Sequence, residues 1–345
     1  MFYFLRFDTL QLNPIRDFPM QSYLMKMDHE RATLELCAVP MPEPGPQQML
    51  VRLHAAGLNR GEFIVGHGLH GQPGTAKAIG MEGAGEVVKL GSEVSGFQLG
   101  DRVMGRCPGS FSEFALMDVR EAMKMPEGMP WAVAASIPLT FLVVYDMLVL
   151  QGRLQADEWV LINGVSSGVG FAALQMAKAL GAKVIGTSGS AEKLSRCASL
   201  GLDLGLCTRA PDFYEAVMAA TGGKGVNLVI NTVGGSVFAE NVRCMAFEGR
   251  LATVGYVDGV LKAEIDIEAL HAKRLTLFGV SNKLRNPAQN AQSVPGLIAD
   301  VLPLLAQGRI QPLVDRVFPF DQLEAAKAFM ESNQQLGKTV LAMPV

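Results

Sequence analysis

Asn163-Gly164-Val165-Ser166-Ser167-Gly168-Val169-Gly170 follows the apolar run EWVLI at 158–162 and leads into a helical stripe of Val169, Ala173, Met176, Ala177 and Leu180. A strand, a tight glycine-bearing turn and a helix in that order suit a dinucleotide. The free N–H groups and dipole at the helix N-terminus stabilise the charges of a pyrophosphate, and glycines let backbone approach phosphate and let helix pack on strand. The turn departs from G-x-G-x-x-G, with Val165 and Ser167 where the first two glycines of that pattern would fall. Its meaning comes from the strand before it and the helix after it. Ser166, Ser167, Gly168, Val169 and Gly170 are the expected cofactor contacts of this turn.

The same rhythm continues outward. The run KVIGT at 183–187 reads as the next strand and 191–200 as the next helix. A strand at 227–233, a helix from about 237 to 247 and a strand at 250–254 follow. Such alternation gives a parallel sheet with helices on both faces, the doubly wound Rossmann arrangement of α/β proteins. Upstream, from about 32 to 123, short strand candidates at 49–55 (MLVRLHA) and 85–89 are broken by proline and glycine clusters such as Pro40-Met41-Pro42-Glu43-Pro44-Gly45-Pro46. The apolar stretch 131–145 contains Pro138 and is too short for the roughly 18–20 residues of a membrane span, so it reads as a buried helix. Downstream, 314–319 reads as a strand, 321–332 as a helix and 338–343 as a final strand.

The 345 residues suffice for two domains, and 49% hydrophobic with 18% charged residues is a composition that buries a core. A formal net charge of −3 gives no footprint for nucleic acid or an anionic membrane. The five cysteines (Cys37, Cys107, Cys197, Cys207, Cys244) are scattered and never spaced C-x-x-C, which argues against a disulfide framework or a zinc knot. Residues 1–19 carry no long apolar run and read as an extension on a core that begins near Gln21. The expectation is a cytoplasmic protein acting on a small molecule.

The second strand of the dinucleotide unit ends at Thr187-Ser188, where an NAD site usually carries an Asp or Glu for the ribose hydroxyls. Here Ser188-Gly189-Ser190 is followed by Lys193 and Arg196. Hydroxyls and cations suit a 2′-phosphate that a carboxylate would repel, so Ser188, Gly189 and Lys193 point to NADPH. Asn231, Gly255 and Tyr256 end later strands, and Val280 and Ser281 would form the far wall of the ligand crevice.

The chain resembles the medium-chain dehydrogenase/reductase superfamily, most closely its zinc-independent quinone oxidoreductase branch. The resemblance runs from about Gln21 to Pro344. It is carried by Pro42-Glu43-Pro44-Gly45, Ala55-Ala56-Gly57-Leu58-Asn59, Gly80-Met81-Glu82-Gly83-Ala84-Gly85-Glu86-Val87-Val88 and Gly100-Asp101-Arg102-Val103. Further carriers are Ala134-Ala135-Ser136-Ile137-Pro138-Leu139-Thr140, the glycine turn, Val233-Gly234-Gly235 and Gly337-Lys338-Thr339-Val340-Leu341. It implies a GroES-like catalytic domain at 20–139 and 282–345, a Rossmann domain at 140–281, and substrate in the cleft between them. It also implies a homodimer paired through the strand at 275–280.

The resemblance further implies that Asn59 and Thr140 are the catalytic residues beside the nicotinamide and that Lys338 contacts the cofactor. Zinc-dependent relatives need a cysteine at the position of Asn59 and a cluster of four more. Neither is present, and Glu82, His67 and His70 have no thiolate beside them, so no metal is expected. The tyrosine that quinone reductases of this family often place five residues after the asparagine is Ile64 here, after Phe63. The function implied is NADPH-dependent hydride transfer to a quinone or an activated alkene or carbonyl. The alternatives are an enoyl-thioester reductase and an NADPH-binding sensor or structural protein without turnover.

Overall fold

The computed structural model describes residues 19–28, 31–63 and 76–344. Ile64, His67, His70 and all of the N-terminal extension except Pro19 lie outside the described residues. Among the described residues, eight strands build the first part: β1 (Met20–Asp28), β2 (Arg31–Val39), β3 (Gln48–Gly57), β4 (Ala76–Ala78), β5 (Glu82–Leu90), β6 (Arg102–Arg106), β7 (Phe114–Asp118) and β8 (Ala122–Lys124). β2, β1 and β4 form a small antiparallel sheet. The β1–β2 hairpin starts about a dozen residues before the expected β-rich region, because Ser22 and Lys26 dilute the apolar signal of Met20, Tyr23 and Met25.

Two helices follow, α1 (Trp131–Ala135) and α2 (Pro138–Tyr145), in place of the one helix expected at 131–145. Pro138 lacks the N–H that would continue the ladder, so it breaks α1 and opens α2 as a first-turn residue. The dinucleotide unit then runs β9 (Trp159–Asn163), α3 (Gly168–Ala179), β10 (Lys183–Ser188) and α4 (Ala191–Ala198). It continues through β11 (Leu204–Cys207), β12 (Val226–Asn231), β13 (Met245–Thr253) and β14 (Thr276–Gly279).

These six strands pair in parallel in the order β11-β10-β9-β12-β13-β14. The chain winds outward from β9 and then returns to β12 on its other side, so the crevice lies where the order reverses, at the carboxyl ends of β9 and β12. Val160, Leu161 and Ile162 are fully buried between the two helical layers. The strand expected to begin at Arg250 begins at Met245, and the helix before it stops at Cys244. A backbone pairing of Val226 with Met245, and Glu248 in the left-handed region at φ 56°, extend and bend that strand.

β15 (Val314–Pro319) and β16 (Lys338–Ala342) come back to the first part. β16 pairs antiparallel with the end of β3, Val340 opposite Gly57, within the sheet β15-β16-β3-β5-β6-β8. This return brings Lys338 beside Asn59.

The last glycine of the dinucleotide turn has a steric reason. A Cβ at Gly170 would lie 2.3 Å from the Gly164 carbonyl oxygen and 2.8 Å from Val165 Cα. Gly170→Ala must open the turn, and overpacking of this kind costs about 1–3 kcal/mol. A lowered urea midpoint together with weaker dinucleotide binding is the expected result; wild-type stability would show that the turn relaxes freely.

Candidate active site

Gly57 ends β3 with no side chain, and the space is needed: a Cβ there would meet the Ala135 carbonyl oxygen at 2.5 Å and Glu82 Oε1 at 2.6 Å. Glu82, at the start of β5, is thereby drawn under the turn that carries Asn59, and it is 0% exposed. Its Oε1 accepts from Lys338 Nζ at 2.6 Å and from Asn59 Nδ2 at 2.9 Å, and its Oε2 accepts from the Leu139 N–H at 2.7 Å in the first turn of α2. Lys338 Nζ also donates to the Leu58 carbonyl at 3.0 Å and to Asn59 Oδ1 at 2.7 Å. Three acceptors match the three ammonium hydrogens. What Lys338 offers a dinucleotide is therefore its stem, which would stand 3.3 Å from a Cβ on Gly168, rather than its charge.

Asn59 is a junction in the same way. Its two amide hydrogens go to Glu82 and, at 3.1 Å, to Glu62 Oε1, while its backbone N–H donates to Glu62 Oε2 at 2.9 Å. Asn59-x-x-Glu62 is the spacing of a capping box, and that signal was readable in the sequence. In this arrangement Asn59 shapes the site and has no hydrogen left for a substrate unless one of these bonds opens.

Glu62 is buried, and burial pushes its carboxyl from 4.5 up to about 8; Asn59's donors and the Lys338 charge oppose the rise, and Glu82 adds to it. The folded state therefore holds the Glu62 proton more tightly than the unfolded chain does. The corresponding stability is fully present below about 4.5 and is lost as the pH rises through about 8. Urea midpoints measured from pH 5 to 9 should fall more steeply for the wild type than for Glu62→Gln; parallel curves would place the proton elsewhere.

Thr140 lies on α2 and is buried. It lines a small cavity with Ser136, Gly168, Phe171, Gln175 and Lys338. Among the described residues its hydroxyl has no hydrogen-bond partner, so it is a donor facing the space next to the dinucleotide turn. In that turn, Ser167 caps α3 by accepting from the Gly170 N–H at 3.1 Å. The first-turn N–H groups of Gly168 and Val169 have no intrahelical acceptor and remain for an anion. Val165 packs over Gly186, which explains why a valine serves in the first-glycine position.

Ser166 and Ser188 face each other, Oγ to Oγ, at 3.0 Å, tying the ends of β9 and β10. Gly189 lies under Arg209: a Cβ there would be 2.0 Å from the Arg209 Nε. Arg209 is exposed and makes no hydrogen bond or ion pair among the described residues. It is a cation that sequence reading missed, because it follows β11, a strand of only four residues. Lys193, by contrast, donates to the carbonyls of Asn333 at 2.7 Å and Gln335 at 2.8 Å. Burial lowers its pKa; Asp315 opposes this and Arg209 adds to it. Arg196 is exposed on the same helix.

The other predicted contacts gather at the carboxyl edge of the sheet. Asn231 ends β12, and its side chain closes its own turn, accepting from Val233 and Gly234 and donating to the Gly234 carbonyl. Gly255 and Tyr256 follow β13, while Val280 and Ser281 follow β14, with the Val280 N–H donating to the Thr253 carbonyl at 3.3 Å. No group of three or more His, Cys, Asp or Glu among the described residues could hold a metal ion. Beside Glu82 the position of a cation is taken by the Lys338 ammonium.

Two family descriptions match the chain: "Alcohol dehydrogenase GroES-like domain" over residues 45–127 and "Zinc-binding dehydrogenase" over residues 168–293. The chain belongs to the medium-chain dehydrogenase/reductase superfamily. It is built from a GroES-like domain and a Rossmann-like parallel sheet.

Within this superfamily the chain is 33% identical over 316 residues to the spectinabilin polyketide synthase system protein NorB of Streptomyces orinoci, a match covering 90% of this chain and 14% of that protein. The chain spans about an eighth of the length of the first curated relatives it matches, 12% for a highly reducing polyketide synthase of Fusarium pseudograminearum. Among solved structures, the CurK enoyl reductase superposes with a TM-score of 0.81 at 28% identity, covering 95% of this chain and 100% of that one. The mycobacterial protein Rv1454c complexed with NADPH superposes with a TM-score of 0.83 at 25% identity, covering 94% and 99%.

Proposed function

We propose that this chain uses NADPH, without a metal, to reduce a carbon–carbon double bond conjugated to a carbonyl, with an enoyl thioester as the leading substrate class. The observation that carries the reading is the unpartnered Thr140 hydroxyl beside Gly168, at the start of the helix whose free N–H groups suit a pyrophosphate. Bound NADPH would supply a hydride from its nicotinamide. The residues of the chain then have separable tasks. Gly168 and Val169 N–H groups hold the pyrophosphate, while Ser188, Lys193 and Arg209 receive the 2′-phosphate. Asn231, Gly255, Tyr256, Val280 and Ser281 line the crevice toward the nicotinamide. Thr140 donates to the carbonyl oxygen on which negative charge develops as hydride reaches the β-carbon. Asn59, tied to Glu82 and Lys338, fixes the wall opposite.

The lack of a thiolate at Asn59, and the Lys338 ammonium at Glu82, favour a metal-free site. The polyketide synthases among the relatives, and the enoyl reductase among the structures, favour the thioester over a quinone. We read the edge of β14 as the pairing surface of a homodimer and the protein as cytoplasmic; among the described residues no helix is long and apolar enough to cross a membrane.

The test is loss of NADPH absorbance with crotonyl-CoA, a simple enone and a benzoquinone at equal concentration. Crotonyl-CoA should show the largest kcat/KM. Turnover confined to the quinone would replace the leading substrate class, and tight NADPH binding with no turnover on any acceptor would favour a sensor.

A further inference from the structure

The carboxyl ends of β9, β12 and β13 lie side by side, with Asn231 opposite Asn163 on one flank and Thr253 on the other. Side chains tie together the turns that leave them. Thr232 Oγ1 donates to the Asn163 carbonyl at 2.8 Å, which joins the turn after β12 to the dinucleotide turn. Asp258, in the loop after β13, makes the next tie. Its Oδ2 accepts from the Ser236 N–H at 2.9 Å and from the Ser236 hydroxyl at 2.5 Å, and its Oδ1 accepts from the Val260 N–H at 2.9 Å. Backbone bonds run both ways beside it: the Asp258 N–H donates to the Val233 carbonyl and the Gly235 N–H to the Val260 carbonyl, each at 3.0 Å. The pair Gly234-Gly235 makes this approach possible. Gly234 stands at φ 130°, and a Cβ there would lie 2.0 Å from Asp258 Oδ1; one on Gly235 would lie 2.7 Å from Val260 Cγ1.

Asp258 is exposed, and polar contacts at an exposed position add little to global stability. What they fix is local: the loop that begins at Gly255 and Tyr256 is latched onto the turn at 233–236. A dinucleotide in this fold lies across the point where the strand order reverses, one half on each side. Ser188 and Arg209 place the adenosine half over β10 and β11, so the nicotinamide half falls over β12 and β13, where the latch stands. We infer that Asp258 is a positioning residue for the nicotinamide half of the cofactor: it holds 255–260 and 233–236 as one rigid floor under the nicotinamide and its ribose. The inference rests on the NADPH reading above. A floor set before binding spares the cofactor the cost of ordering two loops, and it keeps the ring in one orientation for transfer.

Two probes separate this from a general structural role. Adenosine 2′,5′-bisphosphate fills the adenosine half alone, and the fluorescence of NADPH reports the nicotinamide itself. Asp258→Ala should weaken NADPH binding by about tenfold, the scale of one hydrogen bond to a charged group, while bisphosphate affinity stays at the wild-type value. At saturating NADPH, the emission anisotropy of the bound nicotinamide should fall well below that of the wild type, the sign of a ring that is bound and no longer held. Ser236→Ala removes one of the three donors to Asp258 and should move both readouts the same way, with affinity weakened about two- to threefold. A loss shared equally by NADPH and the bisphosphate would make Asp258 a general structural residue. Unchanged NADPH affinity and anisotropy in both variants would remove the latch from cofactor binding. Either result overturns the inference and leaves the NADPH reading standing, whereas a wild type that binds no NADPH would overturn both.

Discussion

Lys338→Met should destabilise the protein by about 3–5 kcal/mol, the usual result of removing one partner from a buried ion pair. Glu82 is 0% exposed and the Lys338 side chain 9% exposed, so neither charge can turn to water when its partner is lost. Glu82 would keep the Asn59 amide and the Leu139 N–H as donors but have no cation. Because the same lysine holds Asn59 Oδ1 and the Leu58 carbonyl, the turn after β3 would lose its tie to β16 as well. Adding Glu82→Gln to Lys338→Met should recover most of the loss, since an uncharged amide can be buried at far lower cost. Urea unfolding of the single and double variants forms a double-mutant cycle. A single-variant loss below about 1 kcal/mol would mean that the pair is reached by water and does not organise the site.

Thr140→Val should lower kcat by about a hundredfold while leaving NADPH affinity near the wild-type value. Valine preserves the shape of the threonine side chain and removes only the hydroxyl, so the packing of α2 against α3 should survive. The hydroxyl bonds to nothing among the described residues, which makes it cheap to delete for stability. If it meets the developing enolate oxygen, deleting it is costly in the transition state: loss of one such donor typically costs about 10²–10³-fold in kcat. A rise in KM with kcat unchanged would make Thr140 a substrate-binding residue only.

What could be read from the sequence was local. The dinucleotide unit announces itself because its strand, turn and helix are contiguous, and 158–170 carries the whole pattern. The helix boundaries moved where a backbone feature overrode composition, as at Cys244, where pairing with Val226 starts the strand early. β11 escaped because a four-residue strand with Gly205 and Cys207 in it has little propensity signal.

The polar network at Asn59 was only half legible. Its Asn59-x-x-Glu62 box is a spacing, but the Lys338 contact spans 279 residues of chain and arises from a return strand. Glu82 was weighed in the sequence only as a carboxylate with no thiolate beside it, and in the fold its partner is an ammonium. Lys193 was read as a phosphate ligand from its place after the second strand, whereas its present partners, the carbonyls of Asn333 and Gln335, lie in a distant loop that no local pattern links to it.

Transfer of label from NADPH carrying deuterium at the reactive C4 position tests the central claim most directly. In a single turnover with crotonyl-CoA, the deuterium should appear on the β-carbon of the saturated product, with the α-hydrogen drawn from solvent. Saturated product without deuterium at the β-carbon, or no reduction of the thioester while a quinone consumes the cofactor, would contradict the account.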